Sequence, residues 1–272
     1  MNENIKWIAA AVAVVGLSIG AVLYLSYYPR GNKVAPAEEP VVAVPEQPPA
    51  VSEEPAVKHP LPETAAPEPL PPLAESDLPM RGALESLFGK ESVEQFVAPE
   101  NLVRNIVVTI DNLSTEKVPE RIRPVKPTSG RFMVDGTEEA PVLGAANFER
   151  YKPAVQLIRS LDTQQLVSTY TRYYPLFQDA YANLGHPPEY FNDRLVEVID
   201  HLLATPELRG PVALTRPGVR YEFADPALES KSAGQKLLIR MGPDNAKVVK
   251  DKLRQLRAEL IAKQAVPVPA TD

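Results

Sequence analysis

From Trp7 to Leu25 the chain carries no charged residue, and the apolar run continues to Tyr28. A helix rises about 1.5 Å per residue, so about 20 such residues cross the hydrocarbon core of a bilayer. Trp7 at one end and Tyr27 with Tyr28 at the other sit where amphipathic rings favour the headgroup level. Cleaved secretory signals have shorter apolar regions, about 7 to 15 residues, that end at a small-x-small site. Ser18 and Gly20 mimic such a site, yet Val22, Leu23, Tyr24 and Leu25 prolong the run beyond it. Residues 1–28 therefore read as an uncleaved transmembrane signal anchor, a single span. Ala9, Ala13, Gly16 and Gly20 share one face of that helix, and the Gly16/Gly20 pair allows close backbone approach. The face is a candidate seam for self-association; the alternative is that small residues are simply common in membrane helices.

Orientation is weakly marked. Lys6 and the amino terminus precede the span, and Arg30 and Lys33 follow it, so the basic bias is nearly balanced. A long acidic domain translocates largely regardless of charge, which favours a cytoplasmic N-terminus and a periplasmic C-terminal domain.

Beyond Pro29 the composition shifts to Pro, Glu, Ala and Val, with Pro48-Pro49 and Pro71-Pro72 doubled. Proline fixes φ and removes a donor, and large apolar groups are too sparse to offset the entropy of ordering. Residues 29–75 are expected to be a disordered, extended strap. Its surplus of glutamates extends it by self-repulsion and disfavours anionic lipid and nucleic acid. His59 reads as a solvated residue of this strap.

Residues 76–262 have the length of one ordinary domain, and 263–272 read as a disordered tail. No cysteine is present, so neither disulfides nor thiolate metal sites contribute. The formal net charge of −6 excludes a general nucleic-acid binder. The fold class is mainly α: one helical-bundle-like domain with a small β hairpin or sheet. Ser76 is expected to cap a helix whose apolar side is Leu78, Leu84, Leu87 and Phe88, with Gly89 as its exit. Pro99 is placed in the first turn of the helix carrying Leu102, Val103, Ile106, Val107 and Ile110. Asp135-Gly136 predicts a turn joining Phe132–Val134 to Pro141–Leu143. Asn147 is read as a cap. Asp162 with Gln165 is a capping-box pattern opening a long helix that stops at Gly185. On it, Tyr170, Tyr173, Tyr174, Phe177 and Tyr181 form an aromatic stripe, the spacing of a core face. Pro187-Pro188 opens the next helix. A strand is predicted near Val219 to Phe223, pairing with the hairpin. Asp225-Pro226 opens a helix through Leu228, Leu237, Leu238 and Met241, where Gly234 signals close packing or a break. Ala246, Val249, Leu253, Leu256 and Leu260 make a seam too short for a coiled coil, so it packs on its own domain.

Two clusters carry possible chemistry. Asp193, Glu197, Asp200 and His201 lie on roughly one helical face, where carboxylates and an imidazole could take a metal or do acid-base work. Helical carboxylate metal sites use Glu-x-x-His twice, whereas Glu197 to His201 is one residue longer and occurs once. The competing reading is a solvated face paired with arginines. Arg121, Arg123, Lys126 and Arg131 form a dense basic patch, a candidate contact for an anion or acidic partner; the alternative is helix capping and pairing with surplus carboxylates. No cofactor and no metal set is expected.

Several stretches together resemble one family: Arg123-Pro124-Val125-Lys126-Pro127, Tyr174-Pro175-Leu176-Phe177-Gln178, Tyr190-Phe191-Asn192-Asp193-Arg194-Leu195, Tyr221-Glu222-Phe223-Ala224-Asp225-Pro226, Gly234-Gln235-Lys236-Leu237-Leu238 and Arg240-Met241-Gly242-Pro243. They resemble the bacterial family called domain of unknown function 3014, over about Leu73 to Leu260. The resemblance implies a bacterial envelope protein with an N-terminal anchor. It brings no catalytic residues, since the family has no established activity. The expectation is an inner-membrane protein with a periplasmic binding or scaffolding module, whose partner is an envelope protein or a cell-wall component. The alternative is an envelope hydrolase or metal-dependent enzyme using Asp193, Glu197 and His201.

Overall fold

The computed structural model describes residues 57–62, 69–119, 122–126, 131–218 and 220–262. The run Trp7–Tyr28, with its face Ala9, Ala13, Gly16 and Gly20, lies outside them, as does the tail 263–272. Among the described residues no helix is long and apolar enough to cross a membrane.

A 3-10 turn, Leu73–Glu75, leads into α1 (Asp77–Phe88) and α2 (Lys90–Phe96). The inward face of α1 is Met80, Leu84, Leu87 and Phe88, at spacings of four, three and one. Leu78, expected on that face, is 82% exposed. Two positions before Met80, it points about 200° round the helix. Ser76 does not cap α1 through its side chain; its hydroxyl donates to the Leu73 carbonyl at 2.7 Å. Gly89, at φ 72, makes the joint between α1 and α2.

α3 (Leu102–Asn112) starts after Pro99, not around it, and Asp77 supplies its cap from another helix. The Asp77 carboxylate accepts from the backbone N–H of Asn101 at 2.7 Å and of Leu102 at 2.8 Å. These are orphan donors at a helix start, where the dipole also favours negative charge.

β1 (Val134–Gly136) pairs antiparallel with β2 (Pro141–Leu143) in the register Val134 to Leu143. Asp135 and Gly136 are strand residues here, and residues 137–140 make the reversal. Asn147 is not a cap but lies inside α4 (Ala146–Arg159), fully buried. Its amide exchanges bonds with both main-chain groups of Met133 and so fixes the hairpin to the helix. β3 (Leu214–Thr215) pairs with β4 (Glu222–Phe223), and a bridge from Val142 to Ala213 joins the two hairpins, so the predicted strand meets the earlier hairpin through β3. Leu143, Leu214, Phe223 and Ile239 form a small second core under this layer.

α5 (Thr163–Ala182) opens as the sequence predicts, with Asp162 accepting from the Gln165 N–H at 2.9 Å. α6 (Phe191–Leu203) begins three residues after Pro188. The helix expected from Asp225 breaks into α7 (Pro226–Glu229) and α8 (Ala233–Arg240), each capped by its own side chain, Asp225 and Ser232. α9 (Pro243–Ala262) buries Val249, Leu253, Leu256 and Leu260 against α4, α5 and α6, so its seam belongs to its own domain. The main core gathers α1 to α6, α8 and α9 around Phe88, Leu102, Ile158, Phe191 and Leu253. The domain is mainly helical with small antiparallel two-stranded sheets.

Candidate functional site

The aromatic stripe of α5 builds the floor on which α6 begins. Phe191 is fully buried and stacks on Phe177, with centroids 5.9 Å apart and planes 12° apart. Tyr170 and Tyr181 lean on the same ring. Gln178 brackets the approach to the helix: it donates to the Glu189 carbonyl at 2.8 Å and accepts from the Phe191 N–H at 2.9 Å. The Tyr174 hydroxyl donates to the same Gln178 oxygen at 2.9 Å. Burial pushes the Tyr170 phenol well up, with Tyr174 and Asp193 adding to the effect. The Tyr174 phenol is pushed up to about 12, again chiefly by burial. Both hydroxyls are therefore neutral donors at ordinary pH.

This floor fixes the first turn of α6, and with it Asn192 and Asp193. Asn192 is 1% exposed. Its Oδ1 accepts from the Tyr170 hydroxyl at 3.2 Å, which orients Nδ2 to donate to the carbonyl of His59 at 2.7 Å. The Asp193 carboxylate takes two consecutive main-chain donors: Oδ1 accepts from the His59 N–H at 2.7 Å and Oδ2 from the Lys58 N–H at 3.0 Å. One turn along, Glu197 meets the Lys58 ammonium at 3.3 Å. Leu61 packs against the main core, followed on the chain by Leu70 and Leu73. So residues 57–62, inside the stretch expected to be a mobile strap, lie against the body, with the backbone bent at Lys58 and His59 so that two successive N–H groups face one carboxylate. His59, read as solvated, is half-buried with its main-chain N–H and C=O both bonded to α6. The physical reason is that a carboxylate and an amide in one helical turn can satisfy main-chain groups that proline neighbours leave without a ladder.

The other members of the predicted carboxylate face are dispersed. His201 Nε2 lies 2.9 Å from the hydroxyl of Ser232, the cap of α8, and the His201 carbonyl accepts from Gln235. Burial lowers its pKa, helped by Arg194 and Lys231. Asp200 forms a two-pronged pair with Arg257 of α9. Glu197 stands between Lys58 and Arg194, 3.6 Å from the latter. Among the described residues no three carboxylates, histidines or cysteines come together as a metal-holding group. Asp193, Glu197 and His201 are thus not drawn to one reacting point; Asp193 and Glu197 face residues 57–62, whereas His201 ties α6 to α8.

Three members of the basic patch, Arg123, Lys126 and Arg131, lie among the described residues. Arg121 lies outside the described residues. Arg123 is buried, with its guanidinium nitrogens inside the body. Lys126 is exposed, and its ammonium donates to the Glu94 carbonyl while its backbone N–H donates to Phe96. Arg131 is exposed ahead of β1. A groove of about 730 Å³ runs between residues 205–212 and the first half of α9. Within it Lys247 and Arg254 pair with Asp251 and Lys250 with Glu207, and Arg209 also lines it.

Spacing arguments do not reach Asn192 or the role of residues 57–62. The available signal is Pro60-Leu61-Pro62 behind Lys58-His59, a large apolar residue and a basic pair in a strap dominated by Pro, Glu, Ala and Val.

A family model described as protein of unknown function (DUF3014) matches residues 102–257, from the start of α3 into α9. No curated protein and no solved structure matches the chain.

Proposed function

Because the chain belongs to the family of unknown function DUF3014, whose description assigns no activity, we propose its role from its own geometry: a binding or scaffolding module held at the bacterial inner membrane. Residues 1–28 supply the anchor, a proline-rich strap supplies reach, and the helical body stands in the periplasm to engage an envelope protein or cell-wall component. A tether raises the effective concentration of a weak binding domain near the membrane, which serves recognition more directly than catalysis. One observation carries the reading. The body holds a polypeptide segment, residues 57–62, by the main chain of Lys58 and His59, through the side chains of Asn192 and Asp193.

Protease treatment of intact spheroplasts tests the placement. Digestion of the body supports the periplasmic module, and protection until lysis overturns it. A photo-crosslinker at Glu197, which faces Lys58, tests binding: adducts to another envelope component support it, and adducts confined to the chain's own strap argue against a partner there.

A further inference from the structure

We infer that the first turn of α6 and the α5 floor form an exchangeable site for proline-flanked peptides bent as Lys58 and His59 are, and that the strap residues Val57–Pro62 are its resident occupant in cis. This deepens the proposed binding role and rests on it.

The site recognises backbone before side chain. Three main-chain groups of two consecutive residues are read: the N–H of Lys58, the N–H of His59 and the C=O of His59. Asp193 can only accept and Asn192 Nδ2 can only donate, so the register of a bound segment is fixed without regard to its side chains. Asn192 cannot rotate freely, because it is buried and its Oδ1 is held by Tyr170. Prolines at positions 60 and 62 lack N–H groups, so past His59 the N–H of Leu61 is the one main-chain donor of the segment. Selectivity then comes from two positions. Glu197 favours a cation at the place of Lys58, and the core edge takes an apolar side chain at the place of Leu61. The chemistry thus specifies a basic residue, a residue read through its main chain, proline, an apolar residue and proline, bent at the first two positions.

The resident segment is built to leave. Lys58 and Glu197 are both more than half exposed, so their pair contributes little against solvent screening. Leu61 is only partly buried. Proximity adds to the bonds from Asn192 and Asp193, since Pro62 is joined to Pro69 by a short stretch of chain, and short tethers give effective concentrations on the order of millimolar. A partner peptide of the same pattern displaces it only when presented at comparable concentration, as another tethered envelope protein does. Displacement lengthens the stretch of strap between anchor and body, and so extends its reach.

The test uses the full chain in detergent with residues 57–62 replaced by a Gly-Ser segment of equal length. Its ligand is a fluorescent peptide of the sequence of residues 55–64, read by anisotropy. The emptied chain is expected to bind this peptide about tenfold or more tighter than the wild-type chain, where the cis segment competes. Asp193→Ala in the emptied chain is expected to abolish binding. A peptide N-methylated at the amides of Lys58 and His59 removes the same two bonds without altering the protein, and is expected to lose binding in parallel. Absence of binding to a folded emptied chain overturns the site. Equal binding to wild-type and emptied chains overturns occupation in cis, and full binding of the N-methylated peptide overturns backbone reading. All of these outcomes are read on purified protein, so a body found in the cytoplasm by the spheroplast test would remove the envelope role while leaving the groove standing.

Discussion

Arg194 reaches from α6 to the C-terminal end of α3 and holds Asp111 at two atoms. Its Nε donates to the Asp111 carboxylate at 2.7 Å and its Nη2 to the Asp111 carbonyl at 2.7 Å. The same Nη2 also donates to the Ser114 hydroxyl at 2.8 Å. Because Asn192 and Asp193 on the first turn of α6 hold residues 58 and 59, this contact sets where that segment lies relative to the core. The planar fork is what satisfies three acceptors at once, and a lysine presents a single point of donation. Arg194→Ala is expected to destabilise the protein by about 2 to 4 kcal/mol, since it strands a half-buried carboxylate and two further acceptors. Arg194→Lys is expected to recover less than half of that loss. Denaturant midpoints of the full chain measure both.

Asp77 performs a comparable service for α3. Both of its oxygens are used on the Asn101 and Leu102 N–H groups, and Asn101 itself sits at φ 55, where its own side chain does not cap. Asp77→Ala is expected to cost about 1 to 2 kcal/mol, the range of losing a helix cap. Asp77→Asn is expected to cost less, because one amide oxygen remains as acceptor while the amide nitrogen faces a donor. Thermal unfolding of the two variants against the wild type separates these values.

Much of this bundle is legible from periodicity. Val249, Leu253, Leu256 and Leu260 bury as their spacing predicts, and Asp162 caps α5 from sequence alone. Tyr173, Phe177 and Tyr181 are core, as a stripe at helical spacing implies. What periodicity misses are features set by partners distant in sequence. Ser76 and Asn147 have cap-forming side chains, but one bonds locally and the other is consumed by Met133. Leu78 reads as inward because it is apolar, although Met80 lies on the geometrically correct line. The candidate site shows the same limit: helical spacing groups Asp193, Glu197, Asp200 and His201, yet apart from Arg194 their partners come from residues 58 and 59, α8 and α9, which no helical wheel contains.

Gly234 offers a test in which two effects have opposite signs. It lies in the first turn of α8, where replacing Gly by Ala in an unobstructed helix stabilises by up to about 1 kcal/mol. Here an added Cβ would fall 2.4 Å from Leu202 Cδ2 and 2.9 Å from the Leu113 carbonyl oxygen. The Leu202 methyl can swing, but the Leu113 oxygen is main chain and is itself the acceptor of the Gly234 N–H at 3.0 Å. Overpacking wins, and Gly234→Ala is expected to destabilise by about 1 to 3 kcal/mol. An unchanged or raised melting temperature would show that α8 can back away from α3 without loss.

His201, which helical spacing offers as a catalytic candidate, instead gives the fold a dependence on pH. Burial, then the positive charges of Arg194 and Lys231, lower its folded pKa below the ordinary value of 6.5. The native state therefore binds fewer protons than the unfolded chain between the lowered pKa and about 6.5. The stability this contributes is fully present above that unfolded value and is lost as pH falls through the folded one. Protonation also makes Nε2 a compulsory donor toward Ser232, whose hydroxyl accepts from the Gln235 N–H at 3.2 Å as the α8 cap. His201→Gln retains a polar partner for Ser232 and does not titrate. Denaturant midpoints at pH 7.5 and pH 5.5 are expected to differ more for the wild type than for this variant. A His201 ring resonance that titrates at or above 6.5 would remove the effect.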